Sequence, residues 1–446
     1  MAVQRGSDYT RTIDDVVEAH RVALQALNHR IHSNPELCYE EFMAHDACVE
    51  FLTKAGCKVT PHAYGLSTSF EAEYSQGTGG RIIVLNAEYD ALPGIGHACG
   101  HNLIGVGSIA AFLSAVAQLK ASNVAGTVRV LGTPAEEGGG GKVALIKKGA
   151  YESVDACIMA HPAPLRLNYP IPYVGNIYVP HNAISKFQIK FKGQNAHAAA
   201  DPWNGRNALD AVVMAYSAIG LLRQQTEDDC RMHGVIVNGG LKQNIIPDLT
   251  VLDYAVRAPS LGKLQAVKTR VIDCCEGAAK AAGCTVEFVD TITCADVRPN
   301  KAICSVIKEE SDKLGYPLLC DFNFPRNPAS TDQGNVTYIT PGLQFIYGIP
   351  ADEGCFNHTI GFHTSSGTEE AFDRTLTIAK IMAATVWKIL SNDEVALAMK
   401  EEFEADKAER EANGEKEGED AIISRWIIKA NGTDSVGKCC CSQNQS

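Results

Sequence analysis

Residues 81–132 read RIIVLNAEYDALPGIGHACGHNLIGVGSIAAFLSAVAQLKASNVAGTVRVLG. Two short β-branched runs, Arg81-Ile82-Ile83-Val84-Leu85-Asn86 and Thr127-Val128-Arg129-Val130-Leu131-Gly132, bracket an apolar stretch from Leu103 to Leu119. Strand, helix, strand is the α/β pattern, and runs this apolar predict a largely buried sheet. The central stretch is punctuated by Gly105, Gly107, Ser108, Ser114 and Gln118 and is too short to span a bilayer comfortably, so it reads as a buried helix. Both strands run out into segments rich in Gly, Pro and acid, where open α/β sheets place their ligands.

Outward from this core, apolar residues at helical spacing between Asp14 and Cys57, broken at Pro35, predict two helices. The texture changes near Ala183. Lys186 to Phe191 alternates like a half-exposed strand, Asn207 to Arg223 is an amphipathic helix, Thr250 to Arg257 a strand, Leu264 to Ala282 a helix and Thr285 to Val289 a strand. This β-α-β-α-β run predicts a small α+β domain inserted into the larger one, with Lys301–Leu314 and Glu369–Leu390 helical again beyond it. The expected boundaries are 1–182 and 298–392 for the two parts of the larger domain, 183–297 for the insert and 393–446 for a tail. The charge density from Lys400 to Asp420 is that of a solvated helix fading into disorder, and Cys439-Cys440-Cys441 lies within that flexible tail.

At 446 residues the chain is long enough for two or three domains, and 45% hydrophobic with 21% charged residues is globular composition. Its 40 Lys+Arg against 52 Asp+Glu give a formal charge of -12, a field that repels nucleic acid. The first residues lack the apolar core of a secretory signal and the Arg/Ser-rich character of a transit peptide, and the 16 cysteines have no repeated spacing. A cytoplasmic protein with reduced thiols and no membrane partner is the expectation.

Four clusters carry chemistry. Cys99 and His101, one glycine apart in the loop Glu88–Asn102, are two donors that can converge on a zinc-like ion. Glu136-Glu137 follow the next strand, ahead of four glycines; one of two adjacent carboxylates can bind metal while the other takes a proton. His161 sits at a strand end between Ala160 and Pro162, and His363 precedes the last helix, with His358 close by as the second choice. Together these supply five ligands, too many for one tetrahedral catalytic ion with an open position, so two ions sharing an activated water fit better.

These clusters, in this order and with an inserted domain, resemble the co-catalytic metallopeptidase family of aminoacylases and zinc carboxypeptidase-like exopeptidases, in its amidohydrolase branch with hippurate hydrolase and indole-acetyl-amino-acid hydrolase. The resemblance runs from about His29 to Leu390 and rests on His32-Ser33-Asn34-Pro35-Glu36-Leu37, Asp90-Ala91-Leu92-Pro93, His97-Ala98-Cys99-Gly100-His101, Pro134-Ala135-Glu136-Glu137, Asn195-Ala196-His197-Ala198 and Asn244-Ile245-Ile246-Pro247-Asp248. Asn102, where many relatives have Asp, and Glu88, which replaces another Asp, favour the aminoacylase-1-like, β-alanyl-lysine-type dipeptidases over hippurate hydrolase.

The resemblance implies a mixed-sheet zinc-exopeptidase-like catalytic domain with helices on both faces and an inserted lid or dimerisation domain. It further implies that Cys99, His101, Glu137, His161 and His363 bind two divalent ions, zinc with Mn or Co as alternatives, and that Glu136 is the general base. His197 and Asn244 would reach the substrate, often in the partner subunit's site, His197 by donating to the oxyanion. Arg257 and Arg206 join Asn244 as grips for a substrate carboxylate. The expected activity is hydrolysis of the amide bond of a small N-acyl amino acid or dipeptide-like substrate by a homodimer; the alternatives are the same site run as a condensing enzyme and a metal-free ligand-binding protein.

Overall fold

The computed structural model describes residues 9–165, 170, 172–413 and 415. Helices α1 (Tyr9–His32) and α2 (Phe42–Lys54) come first, and the Glu36 carboxylate accepts from the backbone N–H groups of Met43 and Ala44 at the start of α2. There follow β1 (Val59–Pro61), β2 (Phe70–Gln76), β3 (Arg81–Ala87), α3 (His101–Lys120), β4 (Gly126–Gly132), α4 (Gly141–Lys147), β5 (Ala156–Pro164) and β6 (Gly175–Asn176). A second unit holds β7 (Ala183–Lys192), α5 (Ala208–Leu222), β8 (Arg231–Asn238), β9 (Leu249–Ala258), α6 (Leu261–Ala281) and β10 (Thr285–Cys294). The chain then returns through α7 (Lys301–Lys313), α8 (Gln333–Ile339), β11 (Gly342–Ile349), α9 (Ile360–Ser366), α10 (Glu369–Ser391) and α11 (Asp393–Ala412).

The larger sheet is mixed, in the order β1-β2-β4-β3-β5-β11-β6. β4, β3, β5 and β11 run parallel, and β2 with β1 at one side and β6 at the other are antiparallel additions. Side chains of β3 alternate between two cores: Ile83 and Leu85 pack under α1, α3 and α10, whereas Val84 packs with Leu145 of α4 and Val336 of α8. Helices therefore cover both faces. Helix α3 is apolar on every side because it is wrapped on every side. Among the described residues it is the helix long and apolar enough to cross a membrane by composition, and 94% of its apolar window is buried within the protein.

The smaller sheet, β10-β7-β9-β8, is antiparallel throughout. Phe187, Ile189, Phe191, Leu252 and Val256 face α5 and α6, while Ile184, Ala255, Ile292 and Cys294 form the opposite face. That second face meets the glycine run after β4, where a Cβ on Gly140 would lie 2.7 Å from Ile292 Cδ1. Strand β8 is an element the sequence reading passes over.

The charged stretch after Asn392 also differs from expectation. Residues 393–412 form a helix that packs on α7, with Met399 and Arg410 buried. The Glu402 carboxylate accepts from the N–H groups of Lys301 and Ala302 at the start of α7, and Arg298 donates to Asp406. Its charges hold fixed partners, which is why the segment is ordered. Cys439-Cys440-Cys441 lies outside the described residues.

Candidate metal centre

Strands β3 and β4 are neighbours and end side by side, joined by the Thr133 N–H to Ala87 carbonyl bond of 2.8 Å, so the loops that follow them share one rim. The first loop turns into α3 at Gly100, whose φ is +80 and whose Cβ, were there one, would lie 2.6 Å from Pro162 Cγ. Only glycine permits this approach. It sets Cys99 and His101 against His161 near the end of β5, and the Glu136-Glu137 turn closes over them from β4.

The ligand-type atoms of Cys99, His101 and His161 lie within 4.8 Å of one another, as do those of His101, Glu136 and Glu137, and those of Cys99, Glu137 and His358. Cys99 Sγ is 3.4 Å from His161 Nε2; His161 Nδ1 is 2.8 Å from the Pro162 carbonyl, which places its proton there and leaves Nε2 facing the cluster. Burial, then the His101 charge, takes His161 down to about 3, so it is a neutral imidazole. His101 Nε2 lies 3.8 Å from Glu137 Oε1 and 3.4 Å from Glu88 Oε2, and its Nδ1 is 2.9 Å from Asp90 Oδ1. The other Asp90 oxygen accepts from the Glu137 N–H at 2.9 Å. Asp90 thus orients two candidate ligands at once.

Three buried atoms, His101 Nε2, Glu137 Oε1 and Glu88 Oε2, have no hydrogen-bond partner among the described residues. Buried polar atoms are normally satisfied, and here three face one another. Burial, and then the Glu137 charge, pushes the Cys99 thiol up, so a thiolate there calls for a cation. Sulfur, imidazole and carboxylate donors in one buried cluster fit a pair of divalent ions. Beside them, burial and then the Glu88 and Glu137 charges push the Glu136 carboxyl up from its ordinary value.

The structure brings Cys99, His101, Glu136, Glu137 and His161 together. It does not bring His363. That ring stacks on His32 with centroids 4.3 Å apart, and its Nδ1 accepts the His97 N–H at 3.1 Å, so it is engaged elsewhere. The histidine at the cluster is His358, with Nε2 3.4 Å from Glu137 Oε2. Its position is set by the bond from its own N–H to the Ala98 carbonyl, 2.8 Å, which ties its turn to the Cys99 loop, while buried Phe362 anchors α9 and turns His363 away.

His197 and Asn244 share an exposed rim of the second unit: the Ala198 N–H bonds the Asn244 carbonyl at 3.1 Å, and His197 pairs with Ile245. His197 Nδ1 accepts from the N–H groups of Ala199 and Ala200, so it does cap a turn, and this leaves Nε2 as a fixed outward donor. Arg257, half-buried on β9, donates to Ser330 Oγ at 2.9 Å and has no acidic partner among the described residues; Arg206 is exposed. Glu88 and Asp90, both inside the loop singled out from sequence, carried a positional signal, two acids closing a strand. Lys142 and Asp332, buried beside them, carried none.

Fold and cluster define a two-sheet metallohydrolase. The sequence model of peptidase family M20/M25/M40 matches residues 84–383, and the chain belongs to that family, as a hydrolase of peptide or amide bonds. It is similar to the Xaa-Arg dipeptidases of Mus musculus, 39% identical over 88% of this chain and 90% of that one, and Homo sapiens, 39% identical over the same shares. A p-aminobenzoyl-glutamate hydrolase chain of Escherichia coli is 32% identical over 69% of this chain and 66% of its own. Among solved structures, a dinuclear metal-binding peptidase of the M20 family from Bacillus subtilis superposes with a TM-score of 0.63 at 22% identity, covering 84% of this chain and 99% of that one. An aminobenzoyl-glutamate utilization protein from Klebsiella pneumoniae gives 0.66 at 19% identity over 85% and 97%.

Proposed function

We propose that this chain is a dinuclear amidohydrolase that cleaves dipeptides or N-acyl amino acids, with Cys99, His101, Glu137, His161 and His358 holding the ions and Glu136 as general base. The observation that carries the reading is the convergence of five donors from four separate segments around two buried atoms without a hydrogen-bond partner, His101 Nε2 and Glu137 Oε1, with one further carboxylate alongside. When bound, the two ions supply Lewis acidity that polarises an amide carbonyl and acidifies water. Glu136 takes the proton of the attacking water and returns it to the leaving amine. Asp90 keeps the His101 ring and the Glu137 backbone in register, and His197 offers its Nε2–H to the oxyanion. Asn244 and Arg257 grip the substrate carboxylate, Arg257 being a half-buried guanidinium without an acid of its own. Similarity to Xaa-Arg dipeptidases supports a dipeptide with a basic C-terminal residue as the substrate, zinc as the ion is supported by the mixed S, N and O donor set, and cytoplasmic residence by the unpaired cysteines.

In this reading residues 183–297 are a lid through which two copies pair. Val235, Ile236 and Val237 on the edge strand β8 and Val213, Met214, Tyr216 and Leu221 on α5 are exposed, an apolar edge that a second copy would cover. The test is Glu136→Gln, alone and mixed with His197→Ala. Alone, the Gln variant should keep two ions per chain and lose at least about 100-fold in kcat. Mixed and re-equilibrated, the two inactive chains should recover about a quarter of wild-type activity, because half the dimers are mixed and each has one intact site. Full activity in Glu136→Gln refutes the base, and no recovery on mixing refutes the shared site.

A further inference from the structure

Beneath the Glu136-Glu137 turn lies a second acidic group that the reaction, as described, does not use. Carboxylate oxygens of Glu88, Glu136 and Asp332 lie within 4.8 Å of one another, a grouping of the kind that holds a cation. A cation is already there. Lys142 Nζ stands 2.5 Å from Glu88 Oε1 and 2.5 Å from Asp332 Oδ1, and all three side chains are completely buried. The Lys142 backbone N–H donates to the other Asp332 oxygen at 2.9 Å, so the carboxylate is held at both ends.

The glycine run places this ammonium. The Gly139 and Gly141 N–H groups both bond the Ala135 carbonyl, Gly140 takes φ +63, and a Cβ on Gly141 would lie 1.7 Å from the Pro134 carbonyl oxygen. The chain therefore doubles back on itself immediately after Glu137 and delivers the first turn of α4 under the carboxylates. The two clusters are fused: Glu136 belongs to both, and Glu88 reaches from Lys142 on one oxygen to within 3.4 Å of His101 Nε2 on the other.

We propose that Lys142 is a positioning residue for hydrolysis: a tethered cation that holds Glu88 and Asp332 together and thereby keeps the Glu136 carboxylate turned toward the ion pair, in the place a third metal would otherwise fill. The proposal rests on the reading of Glu136 as base. Removing the ammonium leaves buried Glu88 and Asp332 and half-buried Glu136 crowded without the cation that bridges them, and the one free to relieve the repulsion is Glu136, since Asp332 is fixed by a backbone N–H and Glu88 is walled in.

Lys142→Met keeps most of the unbranched stem of the side chain and removes its charge. With zinc-loaded protein and a dipeptide substrate, we expect kcat to fall about 10- to 100-fold with KM within about threefold, two ions still bound, and a crystal structure in which the Glu136 carboxylate has rotated away from His101. Asp332→Asn, outside the five proposed ligands, should shift kcat in the same direction by less. Should Lys142→Met fail to fold, Lys142→Met with Asp332→Asn removes a buried charge pair together, which folds more readily than a single unpaired charge. It should show the same loss in kcat. A folded variant with kcat within twofold of wild type, or with Glu136 unmoved, overturns the proposal. Glu136→Gln measured alongside separates the two readings: if it is inactive while Lys142→Met is not, only the role of Lys142 fails, and if it is active the base assignment has failed first.

Discussion

Asp90→Asn tests how the cluster is organised. Each Asp90 oxygen has one bond, Oδ1 at 2.9 Å from His101 Nδ1 and Oδ2 accepting the Glu137 N–H at 2.9 Å. An asparagine has a single acceptor oxygen, and its amide NH2 would face whichever N–H group it cannot serve. The site therefore loses one charge-assisted bond, worth about 1.5–3 kcal/mol, at a position buried enough that water cannot replace it. At about 1.4 kcal/mol per decade, a loss near 2 kcal/mol corresponds to roughly 30-fold weaker metal binding, within the 10- to 100-fold range of outer-shell substitutions. The assay is competition for zinc against a chromophoric chelator at fixed pH, with thermal unfolding of the metal-free protein recorded in parallel. An affinity change under about threefold in a variant whose metal-free form is as stable as wild type would refute the reasoning, because Asp90 would then be orienting nothing.

His358→Ala should lose one of two ions and most of the activity, whereas His363→Ala should keep both and lose the stacking on His32 and the bond from the His97 N–H; metal analysis of the two purified variants decides between them. Glu41 is fully buried, and burial followed by the Asp90 charge raises it to about 8 from an ordinary value of 4.5. The folded chain thus keeps a proton that the unfolded chain releases, and metal-free protein should lose stability as pH rises from 4.5 to 8, at up to about 1.4 kcal/mol per pH unit. Urea unfolding of Glu41→Gln across that range should show a shallower slope, and an identical slope would remove Glu41 as its source.

What the sequence made legible was whatever is encoded locally. Residues 103–119 announce a buried helix by their own apolar content, and β3 and β4 by their β-branched runs. Strand β8 escaped because Val235, Ile236 and Val237 are contiguous and solvent-facing, so no period of two marks them. Helix α11 was legible as a helix but its packing was not, because Ala396, Met399 and Arg410 are a thin buried stripe in a charged sequence, and Arg410 is buried with its guanidinium 4.4 Å from the Tyr338 ring centre. The same division runs through the site. Cys99, His101 and the Glu pair lie in two compact motifs, but the choice between His358 and His363 depends on a backbone bond to Ala98, and the burial of Asp332 on a lysine far away in sequence. Contacts between distant segments leave no local spacing to read.

Helix α11 joins two tasks at one place. Asn300 Nδ2 donates to the Met399 carbonyl at 2.9 Å, and with Arg298 bound to Asp406 the return crossing from β10 to α7 is bolted to the far end of the chain. This fastening stiffens one of the two strips that connect the second unit to the first, while the other, leading into β7, is held by the Asn182 N–H on the carbonyls of Asn327 and Ala329. Trimming the gene after codon 392, inviting on charge alone, would therefore strip the first turn of α7 of the Glu402 carboxylate and loosen the return strip between the two units.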